Sequence, residues 1–459
     1  MVNQPDIDVF SRLSQVEVPS RRPILFEAVC VLGGSIAGLL AARVLSDYSR
    51  LVIVLDRDEL GLGGLSRHGV PQDVQGHLLL EGGRLQIERW MPGFAFNAQA
   101  RGGYLAGWDQ QALFVDGHQQ ETFGREKWLL GSRPFLEARI RDRVRTRPNV
   151  WLSSGHATGL TYEADGRING VRCGDRVIPA DFVVDAMGRA SKLSSWLRAD
   201  GFERPSMERV PSGVSYATAC FERRGHATGE EIATAAAVAS HPGPGELRAA
   251  HIQVIENNQW LVMVMGAGNN AVPKSMEDFR LACASLPPIF AKAAGGKVTH
   301  QVRTYHQADG RRRNYSSLTH FPARLISLGD SVASFNPIYG QGITSAALQV
   351  SCLSEYLSSG PDLNLAATEF FDLQRVIVNA GWLMSAGTDQ IQSDLKTGAR
   401  VPVKLQRERD ALAQIQRAGT RNPELGRRLS AVKHMLVHPG TLKDPALLAL
   451  ATAVNEGRR

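Results

Sequence analysis

Little in this sequence points to covalent stapling, export or repetition. Its five cysteines, Cys30, Cys173, Cys220, Cys283 and Cys352, lie far apart, with no C-x-x-C and no histidine at ligand spacing. That pattern argues against a disulfide framework and against a zinc site. With 43% hydrophobic and 21% charged residues, the composition excludes a disordered, collagen-like or low-complexity chain. No stretch reaches the roughly eighteen apolar residues of a membrane span. The uncharged run from Ala28 to Ala42 follows Arg21-Arg22, as an export signal would. Its leader, however, carries Asp6, Asp8, Glu17 and Glu27, and the run itself contains three glycines. It reads as interior, and a cytoplasmic protein is the expectation.

A strong charge imbalance is also missing. The net charge of +7 is spread along the chain, which suits an anionic cofactor or substrate as well as nucleic acid and alone decides little. Arg143, Arg145 and Arg147, and the run Arg311-Arg312-Arg313, lack interleaved aromatics and read as solvated faces rather than a nucleic-acid patch. At 459 residues the chain exceeds one ordinary domain, so two or three lobes with room for a large buried ligand are expected.

The informative part begins at Ala28-Val29-Cys30-Val31-Leu32, a run suited to a strand buried on both faces. It leads directly into Gly33-Gly34-Ser35-Ile36-Ala37-Gly38. Leu39, Leu40, Ala41, Ala42, Val44 and Leu45 continue as a helix, and a second apolar strand, Leu51 to Leu55, ends on Asp56. The order is strand, glycine turn, helix, strand, acid. Glycines let a backbone approach a pyrophosphate, a helix start offers free N–H groups, and an acid at the second strand end accepts ribose hydroxyls. Asp56 stands 23 residues after Gly33, near the expected spacing of about 20. Ser35 occupies the middle-glycine position and narrows the approach. A tight turn in any α/β sheet is the blander reading.

Two later segments repeat the pattern of buried strand, acid and turn. One is Phe182-Val183-Val184-Asp185-Ala186-Met187-Gly188-Arg189-Ala190-Ser191. The other is Leu325-Ile326-Ser327-Leu328-Gly329-Asp330, followed by Asn336-Pro337-Ile338-Tyr339-Gly340-Gln341-Gly342 and an apolar helical run from Ile343. With Ser132-Arg133-Pro134-Phe135-Leu136-Glu137, this set resembles the para-hydroxybenzoate hydroxylase superfamily of FAD-dependent monooxygenases, over nearly the whole chain from Ala28 to about Pro445. It is most similar to the actinobacterial flavin epoxidases that act on polyene precursors of polyether antibiotics, and to related flavin-dependent decalin-forming [4+2] cyclases. The motifs D-A-x-G-R-x-S, G-D-S-x-x-x-F-N-P-I-Y-G-x-G and S-R-P-x-L-E carry the likeness.

The resemblance implies an α/β fold: a Rossmann-like FAD-binding domain with an inserted β-sheet substrate domain and a C-terminal helical region. The boundaries expected are an N-terminal tail at 1–27, the FAD-binding domain at 28–209 and 316–365, the substrate domain at 210–315 and the helical region at 366–459. It implies FAD contacts from Gly33, Gly34, Ser35, Gly38, Asp56, Arg57, Arg133, Asp185, Gly188, Asp330, Pro337, Gly340, Gln341 and Gly342. Asp330 would accept from the ribityl chain, or else cap a helix. Arg133 would contact the cofactor, or else open a helix at the surface. The N–H groups of Gly340 to Gly342 would stabilise negative charge on the reduced flavin. His77 and Tyr339 are the weak candidates for a catalytic side chain, each with a structural alternative.

Three departures from the family pattern stand out. Where the branch carries Arg-His-x-His after Pro-Gln, this chain has Pro71-Gln72-Asp73-Val74-Gln75-Gly76-His77 and keeps only His77. Met187 replaces a small hydroxylated residue, and Ser35 replaces a glycine. They bear on reduction by NADPH more than on FAD binding.

From about Val210 to Tyr315 strands are expected at Val214 to Phe221, Ala250 to Ile255 and Trp260 to Met265, with turns at His241-Pro242-Gly243-Pro244-Gly245 and Asn257-Asn258. Tyr216, Phe221, Trp260, Met263 and Met265 line an apolar pocket or fill the core. Further on, Leu425, Leu429, Val432 and Leu436 form a helical stripe expected to pack against the body, and Leu405, Leu412 and Ile415 suggest another.

The function implied is an FAD-dependent tailoring enzyme of antibiotic biosynthesis acting on a large apolar polyketide or polyene. Its chemistry would be a C4a-hydroperoxyflavin monooxygenase reaction, epoxidation or hydroxylation, with NADPH as reductant. The alternative is a redox-neutral [4+2] cyclase for a spirotetronate-type polyketide, with FAD as a structural wall and catalysis by positioning. A flavin-binding sensor without turnover ranks below both. A flavin halogenase is disfavoured because none of the seven tryptophans forms W-x-W-x-I-P.

Overall fold

The computed structural model describes residues 4–20, 22–61, 63–64, 67, 69, 72–223, 232–239, 247–267, 272–398 and 400–457. Its first layer is a five-stranded parallel sheet in the spatial order Leu325–Ser327, Phe182–Asp185, Phe26–Leu32, Ser49–Asp56 and Val150–Ser154. Parallel strands covered on both faces have no wet side, hence the unbroken apolar runs. Val29, Cys30 and Val31 have no exposed surface. Helices Ile36–Leu45 and Gly342–Ser358 pack together beside the sheet, and both are buried nearly all round. Leu32 pairs with Leu55 and with Asp185, and Asp185 with Ser327. The carboxyl ends of four strands therefore finish in one row, where ligands bind in open α/β sheets.

The second layer is an eight-stranded sheet, ordered Ala333–Ser334, Val298–Asn314, Ser206–Glu222, Gln259–Ala267, Leu247–Ile255, Thr234–Val238, Gln111–Val115 and His118–Gln120. The three expected strands fall inside it, the last two joined at Asn257 and Asn258 by a turn with φ of 60° and 52°, the left-handed geometry a tight hairpin needs. The expected turn at 241–245 lies outside the described residues. The lobe is wider than 210–315, because the hairpin Gln111–Val115 and His118–Gln120 comes from the earlier segment and pairs in parallel with Thr234–Val238. On its outer face Phe221 shares a core with Phe279 of helix Met276–Ala284 and Phe290 of helix Pro288–Ala294. Its inner face carries Tyr216, Met263 and Met265.

The two ends of the chain differ from expectation. Within the expected N-terminal tail, helix Gln4–Leu13 buries Phe10 and Leu13, three residues apart on one face, in the main core. At the other end the stripe Leu425, Leu429, Val432 does turn inward, and Leu425 and Leu429 join Ile415, Ala418, Leu447 and Ala451 in a small core. Leu436 lies past the end of helix Pro423–Lys433. Of the second stripe only Ile415 is buried. Leu405 and Leu412 stay 42% and 36% exposed and face a cavity instead. Among the described residues no helix is long and apolar enough to cross a membrane.

Candidate active site

Between the two layers and the C-terminal helices lies one continuous cavity of about 2390 Å³. Ligand pockets usually measure about 300–1,000 Å³, so this one has room for a cofactor and a second molecule. Of the residues expected to bind a cofactor, Gly33, Ser35, Asp56, Arg57, Arg133, Gly188, Asp330, Pro337, Gly340, Gln341 and Gly342 line it, as do His77 and Tyr339. Gly34, Gly38 and Asp185 do not.

The glycine loop is built for close approach. Gly33 has φ of 104°, and a Cβ there would lie 2.4 Å from the carbonyl oxygen of Ala186. A Cβ on Gly38 would lie 1.8 Å from the oxygen of Gly33, so the helix start can sit on the strand end only with glycine at that position. Gly34 donates its N–H to Asp56 Oδ2, while Asp56 Oδ1 accepts from the N–H of Asp58 at 2.8 Å and from Arg67 at 3.4 Å. Asp56 thus fastens the loop as well as facing the cavity.

Behind the loop sits Glu137, 4% exposed, which nothing in the sequence singles out beyond its place in S-R-P-x-L-E. Its Oε2 accepts from Ser35 Oγ at 2.7 Å, and its Oε1 from Arg67 Nε at 2.9 Å. Arg133 and Arg141 approach it at 3.4 Å each. Arg133 opens helix Arg133–Arg145 after the N-cap Ser132, whose hydroxyl accepts from the N–H of Phe135. It is no surface arginine, because it donates to Ser35 Oγ at 3.0 Å and lines the cavity.

Asp185 is wholly buried and acts as a knot between strand ends. Its carboxylate accepts from the N–H of Met187 (3.1 Å) and from the hydroxyls of Ser191 (2.7 Å) and Ser327 (3.0 Å). Burial raises its pKa against those bonds. Arg189 does face the cavity, held by Ser334 and Asp309. Asp330 lies in the short turn Gly329–Ser331 and caps no helix. Among the described residues it accepts no hydrogen bond, and burial raises its pKa while Arg133 and Arg189 pull it down.

Two helices point uncapped N-termini at this space. Ser35, the N-cap of Ile36–Leu45, and Gln341, the N-cap of Gly342–Ser358, cap nothing with their side chains. A Cβ on Gly342 would meet nothing within 4 Å, and Gln341 Oε1 is buried without a partner. Free N–H groups, a positive dipole end and an unanswered acceptor suit a long ligand that carries an anionic pyrophosphate and hydroxyl or N–H donors. An FAD has that chemistry.

His77 donates its Nδ1–H to the Gln75 carbonyl oxygen, 2.9 Å away. Burial, helped by Arg133, lowers its pKa to about 3, so it is neutral at physiological pH and its Nδ1 is the donor. Tyr339 bonds Asp389 at 3.4 Å, and its pKa is pushed up by burial. Asp389, on helix Thr368–Thr397, also receives both contacts of Asn336 Nδ2 at 3.0 Å, and Asn336 Oδ1 accepts from Tyr216. This buried chain ties the Pro337–Gly342 loop to the C-terminal helix, an arrangement with no local sequence signal. Of the sheet residues expected to shape a pocket, Met263 and Met265 line the cavity. Phe221 belongs to the outer core, Tyr216 is buried at 1%, and Trp260 lies under Arg223.

Sequence comparison aligns 351 residues with Protein Rv3254 of Mycobacterium tuberculosis at 33% identity, spanning 72% of each chain. The chain belongs to the Rv3254 family. No family model matches it. Among solved structures, this member of the Rv3254 family is similar to the flavin-dependent brominase Bmp2 at a TM-score of 0.64 and 14% identity, covering 94% of this chain and 99% of that one. PqsL, a probable FAD-dependent monooxygenase from Pseudomonas aeruginosa, matches at 0.58 and 19%, covering 79% and 96%. The tetrameric form of 2-methyl-3-hydroxypyridine-5-carboxylic acid oxygenase matches at 0.56 and 18%, covering 83% and 94%. These likenesses give the Rv3254-family chain the fold of the FAD-dependent monooxygenases of para-hydroxybenzoate hydroxylase type.

Proposed function

We propose that the protein is an FAD-dependent monooxygenase that transfers one oxygen atom to a large, mostly apolar substrate of polyketide or polyene type, by epoxidation or hydroxylation. The observation that carries this reading is the continuity of the cavity. The glycine-loop end and the Met263–Met265 roof open into the same space, which extends to Leu405 and Leu412. When bound and reduced, FAD supplies the activation of O2, and NADPH is the reductant, so that substrate, O2, NADPH and a proton give oxygenated substrate, water and NADP⁺.

The chain's own residues bind and shield. The uncapped start of Ile36–Leu45 and the guanidinium of Arg133 hold the pyrophosphate. Asp330 accepts from ribityl hydroxyls. The N–H groups of Gln341 and Gly342 would meet the flavin edge and favour negative charge there, while that of Gly340 is taken by the Pro337 carbonyl at 2.9 Å. The thioethers of Met263 and Met265 exclude water above it. Neither His77 nor Tyr339 is assigned a proton-transfer role, since the first is held neutral and the second engages Asp389.

The test is turnover of a conjugated linear polyene by the flavin-loaded protein with NADPH and isotopically labelled O2. The account expects NADPH oxidation and one labelled oxygen in the product. Conversion of the polyene to a cyclised isomer without O2 or NADPH overturns it in favour of the redox-neutral cyclase.

A further inference from the structure

One row across the roofing sheet meets the cavity with a single polar side chain. Leu113, Ala236, His251 and Met263 are successive cross-strand partners, and all four line the cavity. Partners directly opposite one another share a face of the sheet. Ala250 and Ile252, on either side of His251 in the chain, belong to the outer core, so His251 points inward. It is 7% exposed, a buried imidazole among apolar neighbours.

A short relay fixes which nitrogen of that ring carries the proton. The Gly131 carbonyl can only accept, so the Gln253 amide, itself without exposed surface, turns its NH2 toward it at 3.1 Å. Gln253 Oε1 is then the acceptor that faces His251 Nε2 at 3.2 Å, and Nε2 is the N–H donor. Burial lowers the pKa of His251 to about 4, so at neutral pH the ring holds that one proton and Nδ1 is a bare acceptor. Among the described residues Nδ1 has no partner, and it is not one of the sealed, orphaned atoms of the interior. A histidine that served only to tie the sheet together would engage both nitrogens with protein; this one engages one.

We propose that His251 Nδ1 accepts a hydrogen bond from a hydroxyl group of the substrate, so that the enzyme takes an apolar alcohol in preference to the matching hydrocarbon or ether. An acceptor held in place and kept dry discriminates by what it loses, because a ligand with no proton to donate leaves it buried and unpaired. A carboxylate is disfavoured for the same reason. Met263, the next residue in the row, offers its thioether to the adjoining carbon chain. Calling the alcohol a substrate rests on the monooxygenase reading; the acceptor itself does not.

The test is calorimetric titration of the full-length, flavin-loaded protein with farnesol and with its methyl ether, which keeps the chain and the oxygen but has no proton to donate. Native protein is expected to bind farnesol at least about tenfold more tightly than the ether. His251→Phe, which keeps a flat ring and removes the acceptor, erases that difference. Equal binding of the two probes by native protein, no farnesol binding, or an undiminished preference in His251→Phe overturns the proposal. Should His251→Phe fail to fold by circular dichroism, the nitrogen resonances of histidine-labelled native protein decide: a bare Nδ1 signal shifts with farnesol and not with the ether, and its failure to shift counts against the site. His77 cannot imitate that signal, since its bare nitrogen is Nε2. Protein that takes up no flavin yet shows the His251-dependent preference contradicts the monooxygenase reading and leaves this one standing. Flavin-loaded protein that oxygenates a polyene but binds both probes alike does the reverse.

Discussion

Glu137 gathers three guanidinium groups and the Ser35 hydroxyl around one buried carboxylate. Removing its charge leaves Arg67, Arg133 and Arg141 facing one another in a poorly hydrated place. Breaking a buried pair from one side costs about 3–5 kcal/mol, so Glu137→Gln is expected to lower the unfolding midpoint by several degrees and to weaken FAD retention, read by equilibrium dialysis. A Glu137→Gln variant as stable and as yellow as native protein removes Glu137 from the account. Gly38→Ala is a sharper steric case. Its methyl would lie 1.8 Å from a backbone oxygen that cannot move without the strand end, and loss of FAD uptake is the expected result. The need for glycine at 33 and 38 was legible, because a strand-turn-helix imposes it. The role of Glu137 was not, since nothing local says which cations a buried acid will collect from 70 residues away.

The C-terminal helices separate what periodicity reveals from what it conceals. Spacing located the stripe Leu425, Leu429, Val432 and its inward face, yet the same spacing in Leu405, Leu412 and Ile415 mixes one core residue with two cavity residues. A helical period reports that one face is apolar; whether protein or ligand covers that face depends on the neighbouring elements. Leu425→Ala, at a site with no exposed surface, is expected to cost about 2–5 kcal/mol. Leu412→Ala, already 36% exposed, is expected to cost under about 1 kcal/mol and instead to weaken polyene binding. Chemical denaturation of the two variants checks the contrast, and equal losses would place Leu412 in the core. Segment 1–27 carries the opposite lesson, because a ten-residue helix anchored by Phe10 and Leu13 is too short for its periodicity to outweigh a polar leader.

Across the whole molecule, acid should destabilise the native state. His77, His251 and His434 are buried with pKa values near 3, 4 and 3, below the ordinary 6.5. The unfolded chain then binds more protons between those values and 6.5, so stability present above the ordinary value is lost as pH falls toward the folded ones. The raised carboxyls of Asp185, Asp330 and Asp389 act with the opposite sign, gaining stability as pH falls through their folded values. His434→Gln isolates one histidine: its unfolding midpoint should drop less than that of native protein between about pH 7 and about pH 5, and an equal drop contradicts the assignment. The parallel sheet and the row of strand ends were readable because separate segments repeat a short local grammar of apolar run, glycine and acid, and three strands of the roofing sheet were readable as apolar runs bounded by turn residues. The hairpin from Gln111 to Gln120 and the Asp389 tie were not, because each joins segments distant in sequence. All of it depends on the strand ends holding FAD. Titrating FAD into flavin-free full-length protein, with absorbance and fluorescence of the bound flavin as readout, is the direct measurement. The account predicts saturation at one FAD per chain, lost in Gly38→Ala; folded protein that stays colourless in excess FAD contradicts it.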